Sequence, residues 1–308
     1  MKVLVTGATG FIGSHLVAEL ARLGMDVRPS ARRELGSHTD WAGELGGVDA
    51  IVHLAAIAHA RARQLERLRD YPRLREVNAL GSMRLAQCAA QSGVRRIVFL
   101  STIGVHGEET DGKALNEASP LQPQSLYAAS KLDAERLLAQ VSKATGLAVT
   151  VLRPTLVYGP GNPGNMWRLL RLIDRGCPLP LALIANRRNL TYVGNLVSAI
   201  IAVLRHGALS DAFIVCDTEA VATPELVRCL ADGLGRRARL FPVPTKLARA
   251  CARVLGQEAT ARRLLGSLEA DNTKLRETLN WHPPYDARSA LVHTGARFRA
   301  LRHGAAQG

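Results

Sequence analysis

At 308 residues, 47% of them apolar and 21% charged, the chain has the composition of a globular protein that can bury one large α/β core or a main domain with a smaller lobe. No apolar run reaches the roughly 18 residues of a membrane span, a strand begins at Lys2, and Cys88, Cys177, Cys216, Cys229 and Cys251 lack CxxC or ligand spacing. These features set aside a spanning helix, a signal peptide, a metal site and a catalytic thiol, and point to a cytoplasmic protein with reduced thiols. The net charge of +14 is uneven, +3 over residues 1–150 and +11 over 151–308. Such a basic half can meet nucleic acid, an anionic membrane or an anionic small substrate, or be only an arginine-rich solvated surface.

Lys2 to Thr6 is a short Val/Leu run that reads as a strand buried on both faces, and Gly7, Gly10 and Gly13 follow it directly. Apolar residues at Leu16, Val17, Leu20, Ala21 and Leu23 then predict an amphipathic helix ending at Gly24. In such a unit Gly7 permits the tight turn, Gly10 lets a diphosphate approach and Gly13 lets helix and strand pack, while the helix amino terminus attracts the anion. Asp26 to Ser30 reads as the second strand. Its tip, Ser30-Ala31-Arg32-Arg33, carries no carboxylate before Glu34, and an arginine there accommodates a 2′-phosphate where an acid would hold a ribose hydroxyl. NADP(H) is therefore expected, with Arg32 on the phosphate and NAD(H) as the alternative.

Ala50 to Leu54 is a third strand, running into the small residues Ala55 and Ala56; His53 on it reads as a core histidine. Residues 61–76 are dense in arginine and read as a solvated helix or loop, or else a flap over an anionic ligand. Asn78 to Ser92 looks helical. Arg96 to Ser101 is another buried strand, and because ligands of open parallel sheets bind beyond the carboxyl ends of strands, Ser101 and Thr102 point to where chemistry occurs. A helix starting near Ser125 carries Tyr127 and Lys131, four residues apart on one face. After the strand Val149 to Arg153, the run RPTLVYGPGNPG marks a change to a less regular lobe. Helices follow near Met166 to Arg175, Val193 to His206 and Pro224 to Gly235, with short strands at Leu190 to Tyr192, Phe213 to Val215 and Arg239 to Phe241. The expected division is a cofactor domain over 1–155, with part of 188–206 returning to it, a substrate lobe over 156–302, and a frayed tail over 303–308.

Tyr127 and Lys131 make chemical sense together. A phenol of pKa about 10 is a poor base at neutral pH, but a neighbouring ammonium and an oxidised nicotinamide both stabilise phenolate. Thr102, hydrogen-bonded to the substrate oxygen, would fix an alcohol or carbonyl for proton transfer while hydride moves.

TGATGFIG at 6–13, HLAA at 53–56, Val77-Asn78 with Gly81, FLST at 99–102, YAASK at 127–131 and LRPTLVYGPG at 152–161 occur in an order that resembles the extended short-chain dehydrogenase/reductase family, the nucleotide-sugar epimerases, dehydratases and 4-reductases. The resemblance covers nearly the whole chain. It implies an α/β fold, a Rossmann-type doubly wound parallel sheet with an interleaved carboxy-terminal substrate lobe. It also implies Tyr127 as general acid/base, Lys131 lowering its pKa and holding the nicotinamide ribose, and Thr102 polarising the sugar C4 oxygen. The cofactor cradle it implies comprises Gly7, Gly10, Phe11, Ile12, Gly13, Leu54, Ala55, Ala56, Asn78, Ser101, Tyr127, Lys131 and Pro154. Arg188 and Tyr192 fall on an R-x-x-x-[YH]-V pattern whose arginine grips the UDP phosphates, and Asn165 is expected on the diphosphate or uracil side. A homodimer through the Tyr127 helix and its neighbour is implied too.

Residue detail narrows the activity. Dehydratases of this family carry an Asp-Glu pair after the catalytic Thr, and this chain has Ile103-Gly104. Two readings stand, with a UDP-sugar as substrate in both. A 4-ketoreductase acting on a 4-keto-6-deoxy-N-acetylhexosamine is favoured by Arg32-Arg33 and by STIGVHG and NRRNLTYV, which resemble the reductases of bacterial O-antigen synthesis; a 4-epimerase with tightly held NAD is the other. Leu156, His106 and Asn195 depart from the usual Asn, Tyr and Asp, which leaves the sugar open. Outside this class, a non-catalytic regulatory protein is disfavoured because Tyr127 and Lys131 are both kept, and nucleic acid is not expected as a partner. Arg249, Arg253, Arg262 and Arg263 within 246–266 read as a packed surface helix, with contact to an anionic membrane not expected.

Overall fold

Buried apolar runs between short turns dictate the architecture. The computed structural model describes residues 1–30, 35–57, 70–245, 247, 253 and 264–304. Strands β1 (Lys2–Thr6), β2 (Asp26–Pro29), β3 (Ala50–His53), β4 (Arg96–Leu100), β5 (Ala148–Pro154) and β8 (Asp211–Val215) form one six-stranded sheet in the order β2-β1-β3-β4-β5-β8. Every neighbouring pair in it is parallel. β3 and β5 are buried at every position, as strands covered on both faces require. The helices α1 (Phe11–Arg22), α2 (Ala42–Leu45), α3 (Tyr71–Arg75), α4 (Gly81–Gln91) and α5 (Leu126–Thr145) are interleaved with these strands.

Beyond Pro154 the chain leaves the main sheet and returns. β6 (Leu156–Tyr158) and β7 (Arg188–Tyr192) pair in parallel, and β9 (Ala220–Val221) joins β7 antiparallel. Helix α6 (Asn165–Asp174) lies between them in sequence, and α7 (Val193–His206) packs against α1. The return extends further than expected: Phe213 to Val215 belong to β8, the sixth strand of the main sheet, which pairs over five residues with the edge of β5 that β4 leaves open. Helices α8 (Thr223–Leu234), α9 (Thr273–Leu279) and α10 (Ala287–Gly304) complete the lobe. α8 and α10 cross closely, since a Cβ at Gly233 would lie 2.0 Å from the Val292 carbonyl and one at Gly295 2.4 Å from that of Leu230. Residues 303 and 304, expected to fray, are the last of α10. Arg239 to Phe241 make a single bridge, Leu179 to Leu240, in place of a strand. Val3, Val5, Leu16 and Leu20 share one core with Leu196, Ile200, Val227 and Phe298, so sheet and lobe are held by continuous apolar packing.

Candidate active site

The glycine turn is built as its spacing requires. Gly7 has φ 68°, and a Cβ there would sit 2.8 Å from the amide nitrogen of Ala55. The Gly10 N–H donates to the Gly7 carbonyl at 3.0 Å, closing the turn. At Gly13 a Cβ would meet that carbonyl oxygen at 2.2 Å, so α1 packs on the turn with no room for a side chain. Gly10 differs: its Cβ would meet only the Gly7 oxygen, at 3.2 Å, leaving the outer side open. No side chain caps α1 and no acid stands in its first turn, where the N–H groups of Phe11 and Ile12 begin the helix. A groove open at Gly10 and lined by helix N–H dipoles fits a dinucleotide diphosphate. Leu54, Ala55 and Ala56, all half-buried, flank the turn beyond β3. Arg32 lies outside the described residues.

Register brings the strand ends level. Thr6 pairs with His53 and Phe99 with His53 in turn, so the turn after β1 and the segment after β4 open on one edge of the sheet. His53 is a core histidine, as its strand position suggests. Its Nδ1 accepts from Thr6 Oγ1 at 2.6 Å; its Nε2 donates to Ser82 Oγ at 2.9 Å, which gives its own proton to the Asn78 carbonyl at 2.7 Å. Burial and the Lys131 charge push its pKa down to about 3, so the ring is neutral.

Asn78 sits in a π turn, Glu76–Leu80, between α3 and α4, which the sequence reading did not separate from the helix. Its Oδ1 accepts from Ile57 N–H at 2.8 Å and its Nδ2 donates to Ser130 Oγ at 3.0 Å, while Ser130 donates to the Tyr127 carbonyl at 2.7 Å. Fully buried, the amide fixes the loop after β3 to the Tyr127 helix.

Ser125 starts α5 by accepting from the Ala128 N–H at 3.3 Å, and Gly146 ends it in the left-handed region. On this helix Tyr127 is half-buried and Lys131 is 1% exposed, its ammonium 4.0 Å from the centroid of the Phe99 ring. Burial pushes Lys131 down to about 7, against the carboxylate of Glu135, which raises it. Burial also pushes Tyr127 up to about 12. Burial, which disfavours the phenolate, is the cause of that rise. Thr102, half-buried and extended, heads a 3₁₀ turn over Ile103–Val105, its Oγ1 accepting the Gly104 N–H at 3.1 Å. That bond uses a lone pair and leaves the hydroxyl proton to donate.

Ser101 is also hydrogen-bonded within the protein. Only 3% exposed, it donates to Glu135 Oε1, and Glu135 takes a forked pair from Arg153, Nη2 to Oε2 at 2.6 Å and Nε to Oε1 at 3.2 Å. Sequence reasoning missed Glu135 and Arg153. The signal was present: Glu135 stands one helical turn after Lys131, and Arg153 interrupts an apolar strand next to Pro154, which is buried at the end of β5.

On the lobe side, Arg188 Nη1 donates to the Gly266 carbonyl at 2.8 Å. Gly266 borders a cleft of about 340 Å³ lined also by Glu109, Thr110, Leu183, Asn186 and Thr245. Asn165, exposed, is the first residue of α6. Tyr192, by contrast, is turned into the core at 7% exposure, between Tyr158 and Tyr285 with its hydroxyl 3.1 Å from His293 Nδ1, so it backs the strand and has little surface for a ligand. Among the described residues no group of three or more His, Cys, Asp or Glu is placed to hold a metal ion, and no helix is long and apolar enough to cross a membrane.

Residues 3–216 match the NAD dependent epimerase/dehydratase family. The UDP-glucose 4-epimerase of Vibrio cholerae is 34% identical over 315 residues, covering 96% of this chain and 95% of that one. The GDP-6-deoxy-D-mannose reductase of Pseudomonas aeruginosa is 27% identical over 321 residues, covering 94% of each. Among solved structures, the UDP-glucose 4-epimerase of Thermus thermophilus in complex with NAD superposes with a TM-score of 0.76 at 26% identity, over 97% of this chain and 99% of that one.

Proposed function

The chain belongs to the NAD-dependent epimerase/dehydratase family, and we propose that within it the protein reduces C4 of a UDP-4-keto-6-deoxy-N-acetylhexosamine with NADPH. It is an enzyme of the extended short-chain dehydrogenase/reductase type with a nicotinamide cofactor. The observation that supports the finer reading most is the sequence after β2, where Arg32 and Arg33 stand with no carboxylate before Glu34; an arginine there suits the 2′-phosphate of an exchangeable NADPH, the cofactor a reductase consumes. Bound NADPH supplies the hydride. Thr102 would hold the C4 oxygen by its hydroxyl, Tyr127 would give its phenolic proton to that oxygen, and the Lys131 ammonium would offset the phenolate charge left behind. Ile103 is buried and Gly104 has no side chain, so the turn after Thr102 offers no acid and base for eliminating water.

Arg32 and Arg33, with no acid before Glu34, support NADPH over NADH. Replacing both with Ala is expected to raise KM for NADPH at least tenfold and leave NADH use unchanged; equal losses contradict that preference. Arg188 beside the cleft at Gly266 suits the UDP phosphates, and Asn165 at the start of α6 the nucleotide side. Assembly as a homodimer through α5 and its neighbour rests on the family resemblance, and light scattering checks it.

A second reading, 4-epimerisation of a UDP-sugar with retained NAD, is favoured by the 34% identity to the Vibrio cholerae epimerase. Mixing the protein with NADPH and the UDP-4-keto sugar separates the two. Stoichiometric NADPH consumption and a product heavier by two hydrogens are expected. No consumption, together with interconversion of UDP-glucose and UDP-galactose or their N-acetyl forms, supports the second.

A further inference from the structure

Four polar side chains behind the catalytic helix form one buried unit that the reaction above does not use. Ser101, Glu135, Arg153 and His106 are all less than 9% exposed. Arg153 reaches three elements from β5. Its Nε and Nη2 hold Glu135 on α5, and its Nη1 donates to His106 Nε2 at 3.0 Å, in the turn after Thr102. Arginine can only donate, so Nε2 is the acceptor and the proton is on Nδ1, which donates to the carbonyls of Ser119 at 3.0 Å and Pro120 at 3.2 Å. That loop leads into the helix of Tyr127. Glu135 Oε1 receives the Ser101 hydroxyl, immediately before Thr102.

We propose that Glu135 and Arg153 are positioning residues, a buried ion pair that locks the Ser101–Thr102 end of β4 and the turn at His106 to the face of α5 bearing Tyr127 and Lys131. The unit spans both sides of the reacting group. Thr102 lies between two anchors, Ser101 and His106, and Tyr127, Lys131 and Glu135 stand at four-residue steps on one helix face. A fork to both carboxylate oxygens fixes angle as well as distance, which one hydrogen bond does not. The pair has an electrostatic consequence as well. Around Lys131 stand Tyr127 and Glu135 on its own helix and neutral His53 on β3, with Phe99 on β4 offering only its ring; Arg153 and His106 lie behind Glu135. Of these groups Glu135 is the one that favours the Lys131 ammonium against burial.

This inference rests on Thr102, Tyr127 and Lys131 being catalytic, and its test includes a readout that needs no turnover. Lysines labelled with carbon-13 at Cε report ionisation by NMR, and the resonance missing from Lys131→Met assigns Lys131. In Glu135→Gln, which keeps the shape and removes the charge, the Lys131 midpoint is expected to fall by at least about one pH unit, and kcat to fall at least tenfold with its alkaline limb shifted down equally. An unchanged midpoint and pH profile, whatever happens to Tm, overturns the proposal. Glu135→Gln leaves Arg153 unpaired and can fail to fold, so Glu135→Leu/Arg153→Met is made alongside, since replacing both partners of a buried pair is well tolerated. This double variant is expected to melt near the parent yet lose kcat at least tenfold; parental kcat in a folded double variant also overturns the proposal. Absence of turnover in the parent would instead count against the reductase reading.

Discussion

The ammonium of Lys131 lies 4.0 Å from the centre of the Phe99 ring, beneath the sheet edge where the glycine turn and Thr102 open. A cation so placed is held for its charge and against its solvation, because the ring quadrupole returns only part of the hydration lost.

Lys131→Met tests that tension. The folded-state pKa near 7 lies below the ordinary value of 10.5, so from about pH 7 to 10.5 the unfolded chain binds more protons and stability rises with pH. Methionine fills the space beside Phe99 without a charge. The variant is expected to melt several degrees higher than the parent at pH 7, with the gain shrinking towards pH 10, while kcat falls by about 10²–10⁴, the usual scale for acid/base assistance. A lower Tm at pH 7 contradicts the burial argument.

Gly10 and Gly13 look alike in sequence and are expected to fail differently. A Cβ at Gly13 runs 2.2 Å from the Gly7 oxygen and 2.8 Å from Ala8 Cα, so Gly13→Ala forces α1 off the turn and should yield insoluble or strongly destabilised protein. At Gly10 the nearest atom is at 3.2 Å and the other side is open, so Gly10→Ala should fold with Tm within a few degrees of the parent. Its affinity for NADPH, measured by fluorescence titration, should drop at least tenfold, because the methyl occupies the place of the diphosphate. Unimpaired binding by Gly10→Ala would move the diphosphate elsewhere.

Arg188→Ala removes a guanidinium from the edge of the cleft at Gly266. KM for the UDP-sugar is expected to rise at least tenfold with cofactor affinity unchanged, as loss of a forked phosphate contact would produce. Steady-state kinetics at saturating NADPH measures it, and an unchanged KM takes Arg188 out of the site.

Asp217 carries a stability cost that pH should reveal. It is fully buried after β8; Oδ1 accepts from Tyr192 N–H at 2.9 Å and Asn195 Nδ2 at 2.7 Å, and the Tyr158 hydroxyl also favours the carboxylate, yet burial outweighs all three. Burial raises its pKa from 3.8 to about 6. Between those values the folded state holds the extra proton, so stability falls as pH rises through the window and stays reduced above it. Asp217→Asn keeps the Oδ1 acceptor and should raise stability at pH 7 by about 1–3 kcal/mol, with little effect at pH 4, as denaturant titration at the two pH values would measure. Equal effects at both pH values would mean that charge is not the cause.

Much of this arrangement is legible in residue order. Glycines at three-residue spacing after a buried strand, and Tyr127 with Lys131 on one helix face after a strand ending in Ser101-Thr102, locate the sheet edge because local period and turn chemistry set them. His53 also reads correctly, since a histidine in an apolar strand must find partners in the core. What is not legible depends on contacts distant in sequence. The hydrogen bonds that Asn78 and Ser101 make to Ile57, Ser130 and Glu135 are such contacts. Tyr192 follows a binding pattern but is buried, because its register partner on β6 is Tyr158 and Tyr285 packs against its ring. β8 belongs to the six-stranded sheet by virtue of the open edge of β5, which its own sequence does not announce. The arginine-rich segment over 61–76 shows the same limit: residues 61–69 lie outside the described chain, while Leu74 within it is buried in α3.

The central claim is that the protein uses an exchangeable reduced cofactor, and the cofactor carried by the purified protein tests it most directly. The protein is denatured, and the released nicotinamide is identified and counted against the chain. Substoichiometric cofactor, replaced by added NADPH on mixing, is the result the reductase reading predicts. One tightly held NAD per chain that does not exchange would contradict it and establish the epimerase.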